Sequence, residues 1–361
     1  MMKIKFLMLS ILGIFVLSFT FGYAANAESA DKTDEWLRND KTEISAHRGA
    51  HVAVPENTAE AIEWAGLLGY GFVEIDIQET KDGQYVLMHD ENIERTTTGS
   101  GKIEDLTLEE IKSYNVVDAD GNETNYKVPT LQEALKEAHK YNVGVNFDGS
   151  KGEWDSKKFV DDVMNIAEQN DILNHSFFVL SDKGTRDQFN AWYPEATVTF
   201  LGNASKNLDE DIKELKKYDS AIYTTSIHNI DKAAAEKIDE ENLKIHVYQV
   251  NSAETYAKAK EIEPRLIETD VIVPGGIDRL LDLVEQLRKE EGIRDDQAAH
   301  ALKIHLNAIK YFEKSGNNDK VVKHLNGFKE LLKHQEHKKW ITETTYNTLN
   351  VNANKLIDKW T

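Results

Sequence analysis

The chain has 361 residues, enough for one large α/β domain or one such domain with a small companion. Its formal net charge of −20, with 29% charged and 40% hydrophobic residues, argues against nonspecific nucleic-acid binding by the whole chain. There is no cysteine, which excludes disulfides, cysteine nucleophiles and thiolate metal sites.

The N-terminus reads as a signal peptide. Lys3 and Lys5 form a short positive region, Phe6 to Phe21 an apolar run, and Ala25-Asn26-Ala27 a small-x-small cleavage site. The expectation is export, with residues 1–27 removed after Ala27 and the mature chain extracellular or associated with the cell wall.

From Glu43 to Ile277 short apolar runs alternate with amphipathic segments. Candidate strands are Ile44–His47, Phe72–Ile77, Tyr85–His89, Val143–Asp148, Phe177–Ser181, Thr197–Leu201, Ala221–Thr224, Ile245–Val250 and Leu266–Asp270. Candidate helices between them include Thr58–Leu68, Leu131–Tyr141, Lys158–Gln169 and Ala253–Ile262. Thr130 before Glu133 has the form of a capping box. Strand–helix alternation of this length predicts a parallel sheet, and a TIM (β/α)8 barrel over residues 40–278 better than an open doubly wound sheet. Ile77 and Tyr85 are too close for a parallel crossover, so they form a hairpin turning at Asp82-Gly83. Removing that hairpin partner leaves eight barrel strands, and symmetric pairing about the turn places His89 opposite Asp76.

Past Gly276 only helical periodicity remains. Ala298, Leu302, Leu306 and Ile309 form one stripe, Val321, Leu325, Phe328 and Leu332 a second, and Leu349, Ala353, Leu356 and Trp360 a third. This predicts a small all-α bundle over residues 279–361. Residues 291–361 carry a charge balance of +3 against −23 for the rest, so the two parts present different surfaces.

Chemistry concentrates between His47 and Asp90. His47-Arg48-Gly49 ends the first strand, the place where such barrels carry their function. Glu74 and Asp76, two apart on the second strand, share one face. Two carboxylates in an apolar strand repel unless a hard cation or other partner joins them. His89-Asp90 closes the hairpin, and Asp148 ends a later strand. Each feature alone has a bland reading: a structural His, a polar strand face, a helix cap at Asn57-Thr58, a turn cap at Asp148. Two His, one Arg and two or three carboxylates converging on one rim suit metal-assisted phosphoryl chemistry instead.

These residues also carry a resemblance. His47-Arg48-Gly49-Ala50 followed by Pro55-Glu56-Asn57-Thr58 resembles the glycerophosphodiester phosphodiesterase family. So do Val73-Glu74-Ile75-Asp76-Ile77, Thr80-Lys81-Asp82-Gly83, Met88-His89-Asp90, the run Arg95 to Gly101 and Val128-Pro129-Thr130-Leu131. The resemblance implies a TIM barrel that hydrolyses glycerophosphodiesters to glycerol phosphate and an alcohol with Ca²⁺ or Mg²⁺. By position it implies His47 and His89 as general acid and base, Arg48 on the phosphate, Asn57 shaping the substrate site, and Glu74 and Asp76 on the metal. The family's third ligand, usually Glu in a Glu-x-Lys strand, is replaced here by Asp148, with the following lysine, Lys151, displaced by one residue. An Asp ligand leaves a sphingomyelinase D-like or a teichoic-acid-directed phosphodiesterase open, and a non-catalytic barrel that binds wall polymer is the reading from another class. The C-terminal segment resembles the FIMAH domain through Ala301–Leu306, Lys320–Leu325, Phe328, Leu331-Leu332 and Trp360. Its five histidines are expected to be surface residues, and its basic balance fits either a wall polymer or an anionic membrane surface as the module's partner, or equally a plain solvated surface.

Overall fold

The computed structural model describes residues 35–360 apart from residues 290 and 316, so the signal segment lies outside the described residues. Ten strands form one sheet: β1 (Glu43–Ala46), β2 (Phe72–Glu79), β3 (Tyr85–Leu87), β4 (Gly144–Asp148), β5 (Ser176–Val179), β6 (Val198–Thr199), β7 (Leu201–Gly202), β8 (Ile222–Ser226), β9 (Lys244–Tyr248) and β10 (Leu266–Thr269). The order is β6-β5-β4-β2-β1-β10-β9-β8-β7, with parallel neighbours throughout and β3 hanging from β2. One predicted strand, Thr197–Leu201, is interrupted at Phe200 and appears as β6 and β7. Its first half pairs with β5 and its second with β8, while a bridge from Val198 to Ala221 joins the two ends of the sheet. Nine parallel segments therefore make eight staves of a nearly closed TIM barrel.

The helices that cover the staves are α2 (Ala59–Leu68), α4 (Leu131–Lys140), α5 (Lys157–Gln169), α6 (Lys183–Trp192), α7 (Ala204–Leu215), α8 (Lys232–Glu240) and α9 (Ala253–Ile262), with short α1 (Glu35–Arg38) and α3 (Leu108–Ser113) outside that series. Local chemistry fixes where they start. Thr58 accepts from the Ala61 amide, and Thr130 and Glu133 close a reciprocal capping box. Strand residues alternate as a barrel requires. Val73, Ile75, Ile77, Val145 and Phe147 pack under the helices in the main core. The alternate positions face the barrel interior, where Phe72, Phe177, Ile222 and Leu266 pack with Trp36 and Leu37 at the strand starts.

The hairpin differs from its expected register by one residue. Ile77 pairs with Leu87 and Glu79 with Tyr85, which puts Met88 opposite Asp76 and leaves His89 one step past it. The loop is three residues, not two. The Thr80 amide donates to the Gln84 carbonyl, and Gly83 takes φ +74 at the last loop position, which favours glycine.

Four helices follow the barrel: α10 (Ile277–Lys289), α11 (Asp296–Lys314), α12 (Asn318–His337) and α13 (Glu343–Trp360). Their apolar stripes build a second core from Leu280, Leu283, Leu302, Leu306, Leu325, Phe328, Leu332 and Leu349. Leu67 of α2 belongs to that core and Trp64 packs against it, while the Arg279 guanidinium donates to the Gly66 carbonyl at 2.6 Å. The bundle is thus docked on the barrel at the C-terminal end of α2.

Candidate active site

The sequence-predicted residues meet at the carboxyl ends of β1, β2 and β4. Parallel pairing sets Glu74 beside Asn146 and Asp76 beside Asp148, so the carboxylates come together through strand register. One oxygen from each of Glu74, Asp76 and Asp148 lies within 4.8 Å of the others, and among the described residues no other group of three or more His, Asp or Glu comes as close. Glu74 and Asp76 are buried, and Glu74 Oε1 and Asp76 Oδ1 have no hydrogen-bond partner. Burial first, then like charge from Asp76, Glu268 and Asp148, pushes the Glu74 carboxyl well above its ordinary pKa. Asp76 is raised too, by burial, against the hydrogen bond from Asn57 that favours its charge. Orphaned, mutually repelling carboxylate oxygens gathered at one strand end fit a hard divalent cation that takes oxygen ligands.

Around this triad the first strand end folds tightly. Gly49, at φ +78, passes so close to α2 that a Cβ would stand 2.6 Å from that of Ala61. Arg48 and Asn57 also hold positive φ, +56 and +52. This lets the Arg48 amide donate to Glu74 Oε2 at 2.8 Å while its guanidinium reaches Glu56 at 3.0 Å and lies 3.7 Å from Asp76. Asn57 donates to Asp76 Oδ2 at 2.8 Å.

The two histidines stand on either flank, each with a carboxylate behind it. His47 Nδ1 is 2.6 Å from Asp270 Oδ1, which leaves Nε2 to face Glu74 at 3.9 Å. Burial opposes protonation of His47, but its hydrogen bond to Asp270 and the charges of Glu268 and Asp270 outweigh it, so its pKa is raised. His89 Nδ1 is 2.7 Å from Asp90 Oδ1. Asp90 is paired with Arg95, whose guanidinium holds Glu56 through two bonds of 2.8 and 2.9 Å. Burial acts against the charge of Glu56, yet Arg95 and Arg48 hold its pKa at about 2. An ion-pair chain thus runs from His89 through Asp90, Arg95 and Glu56 to Arg48.

Asp270, Glu56, Arg95 and Glu268 were not among the predicted site residues. Glu268 and Asp270 repeat the i, i+2 carboxylate spacing of Glu74 and Asp76 at another strand end, and that pattern was available in the sequence. The tail histidines stay apart from this chemistry: the His305 ring meets the His324 carbonyl at 3.0 Å, and the His324 ring stacks on Phe312.

A barrel whose rim joins a carboxylate triad, two backed histidines and an arginine has the equipment of a phosphodiesterase. Comparison with known proteins agrees. Residues 47–273 match the Glycerophosphoryl diester phosphodiesterase family, and residues 277–358 match the FIMAH domain. YhdW of Bacillus subtilis strain 168, provisionally named a glycerophosphodiester phosphodiesterase, is 30% identical over 235 residues, which is 63% of this chain and 93% of that one. A glycerophosphodiester phosphodiesterase of the same strain is 38% identical over 135 residues, covering 35% of this chain and 46% of its own length. Among solved structures, an Oleispira antarctica phosphodiesterase in complex with the product sn-glycerol-3-phosphate aligns with a TM-score of 0.56 at 24% identity over 63% of this chain and 92% of that one. A glycerophosphodiester phosphodiesterase from Agrobacterium tumefaciens gives 0.54 at 21% identity over 63% and 96%. The chain belongs to the glycerophosphoryl diester phosphodiesterase family and carries a FIMAH domain behind its barrel.

Proposed function

We propose that the mature protein is an exported, divalent-cation-dependent hydrolase that cleaves glycerophosphodiesters to glycerol phosphate and an alcohol. The observation that carries this reading is the carboxylate triad of buried Glu74 and Asp76 with half-buried Asp148, two of its oxygens unpartnered, flanked by His47 and His89. Glu74, Asp76 and Asp148 would hold Ca²⁺ or Mg²⁺, which when bound supplies Lewis-acid stabilisation of charge on the phosphate. Arg48 offers its guanidinium to a phosphate oxygen, and Glu56 keeps that guanidinium aimed over the triad. Asn57 braces Asp76 and borders the substrate. His47 and His89 act as the proton carriers. One takes a proton from the attacking water as the P–O bond to it forms, and the other delivers a proton to the departing alcohol oxygen as its P–O bond breaks. Asp270 and Asp90 fix each ring through Nδ1, so that Nε2 faces the reaction.

Product identification tests the reading. Glycerophosphocholine, glycerophosphoethanolamine, a lysophospholipid and a glycerol-phosphate polymer would each be incubated with the protein, with and without chelator, and the phosphorus products resolved by NMR. Glycerol phosphate formed only with divalent cation supports it. Full turnover after exhaustive chelation rejects the cation, and a cyclic phosphodiester as the sole product rejects the hydrolysis.

A further inference from the structure

TIM barrels normally fill their interior with branched apolar side chains. Below the rim of this barrel the inward positions instead carry Ser45, Glu74, Asn146, Thr224, His246 and Glu268, all buried. Their hydrogen bonding is incomplete. Ser45 Oγ, Asn146 Oδ1 and His246 Nε2 find no hydrogen-bond partner, although His246 Nε2 stands 3.5 Å from Glu268 Oε2. Buried polar groups are almost always satisfied, so several orphans in one layer call for a function.

Glu268 is the hub of that layer. Its Oε2 accepts from Asn146 Nδ2 at 2.9 Å, and Asn146 pairs with Glu74 in the β2–β4 register and stands two residues before Asp148. Its charge is felt at both Glu74 and His47. Burial disfavours that charge, but His246, His47 and Asn146 more than offset it, and Glu268 stays below its ordinary pKa. A fixed negative charge therefore lies beneath the triad without belonging to it.

We propose that Glu268 is a positioning residue for the cation site: its carboxylate strengthens divalent-cation binding from outside the ligand set, and its bond to Asn146 steadies the strand end that carries Asp148. A buried charge near a dication at moderate effective dielectric shifts affinity by about tenfold or more. This rests on the cation reading of the triad, and the experiment separates the two.

Isothermal calorimetry with Mg²⁺ and Ca²⁺ would be run on the metal-free full chain, on Glu74→Gln and on Glu268→Gln. Glutamine keeps an oxygen to accept from Asn146, so Glu268→Gln removes charge while keeping shape. The expected result is binding by the parent, none by Glu74→Gln, and about tenfold or greater weakening in Glu268→Gln, with kcat largely restored once the cation is saturating. A parent that binds no cation sinks the triad reading itself. A parent that binds, with Glu268→Gln within twofold of it, sinks only the role of Glu268. A kcat that stays low at saturating cation also overturns it, since the effect would then lie in the chemistry. Should Glu268→Gln fail to fold, His246→Gln carries the test, because it removes the group that does most to keep the Glu268 carboxylate charged against burial. Weaker cation binding than the parent supports the proposal, and equal or tighter binding overturns it.

Discussion

Asp148→Asn is the most discriminating single substitution. Asp148 does two things in the structure: Oδ1 accepts the Ser150 amide at 2.7 Å, and its carboxylate joins Glu74 and Asp76 within 4.8 Å. Asparagine keeps an acceptor for Ser150, so the turn survives, as Asn serves such turns as well as Asp. What disappears is one negative charge. The gross attraction between a carboxylate and a dication is about 8 kcal/mol at 4 Å with an effective dielectric of 20, and desolvation offsets most of it. A net loss of about 3 kcal/mol, or roughly 10²-fold in Kd, is the expected scale. The metal-free protein should lose no stability, because Asp148 now repels both Glu74 and Asp76. The assay is calorimetric cation titration paired with thermal unfolding of both proteins, with and without cation. Unchanged cation affinity would remove Asp148 from the site and leave it as a turn cap. A destabilised metal-free protein would refute the claim that the triad is mutually repulsive.

His47→Ala and His89→Ala should each reduce kcat by about 10²- to 10⁴-fold, the range for a lost proton carrier; near-parental turnover by a folded variant removes that residue from the chemistry. The pH dependence of stability should reveal the triad. Glu74 and Asp76 have folded pKa values above their ordinary 4.5 and 3.8, so the fold binds their protons more tightly than the unfolded chain does. Their contribution is fully present below those ordinary values and is lost as pH rises through the folded pKa values. Added cation should therefore raise the melting temperature more at pH 7 than at pH 5, and an equal increment at both would contradict the linkage. Removing residues 278–361 should lower stability, because it uncovers Leu67 and Trp64 and deletes the Arg279 contact to Gly66, while turnover per folded molecule stays near parental. If the module is a tether, the truncated protein should also lose salt-sensitive retention on anionic walls or vesicles, and equal retention would reject that idea.

How far the sequence could be read depended on whether an interaction was periodic. The eight staves, the bundle and the Thr130–Glu133 capping box follow from alternation, helical stripes and i, i+3 spacing, all local quantities. The hairpin register missed by one because Asp82-Gly83 looks the same in a two-residue and a three-residue loop. The deciding interaction, the Thr80 hydroxyl accepting from the Gln84 amide, is not written in the dipeptide. That single step moved His89 beyond the residue opposite Asp76, yet Asp90 still anchors its ring. The ion-pair chain was invisible for another reason: Glu56 and Arg95 are 39 residues apart and meet only because two rim loops lean together. Asp270 is the instructive omission. It lies 223 residues from His47 in sequence, but β1 and β10 are neighbours because the barrel closes on itself. Once closure is granted, the Glu-x-Asp doublet of β10 must stand on the opposite side of β1 from the doublet of β2. The His47 ring at the end of β1 is then bracketed by carboxylates from both directions. One of them, Asp270, orients it, while Glu74 faces its other nitrogen at the place where the reaction would occur.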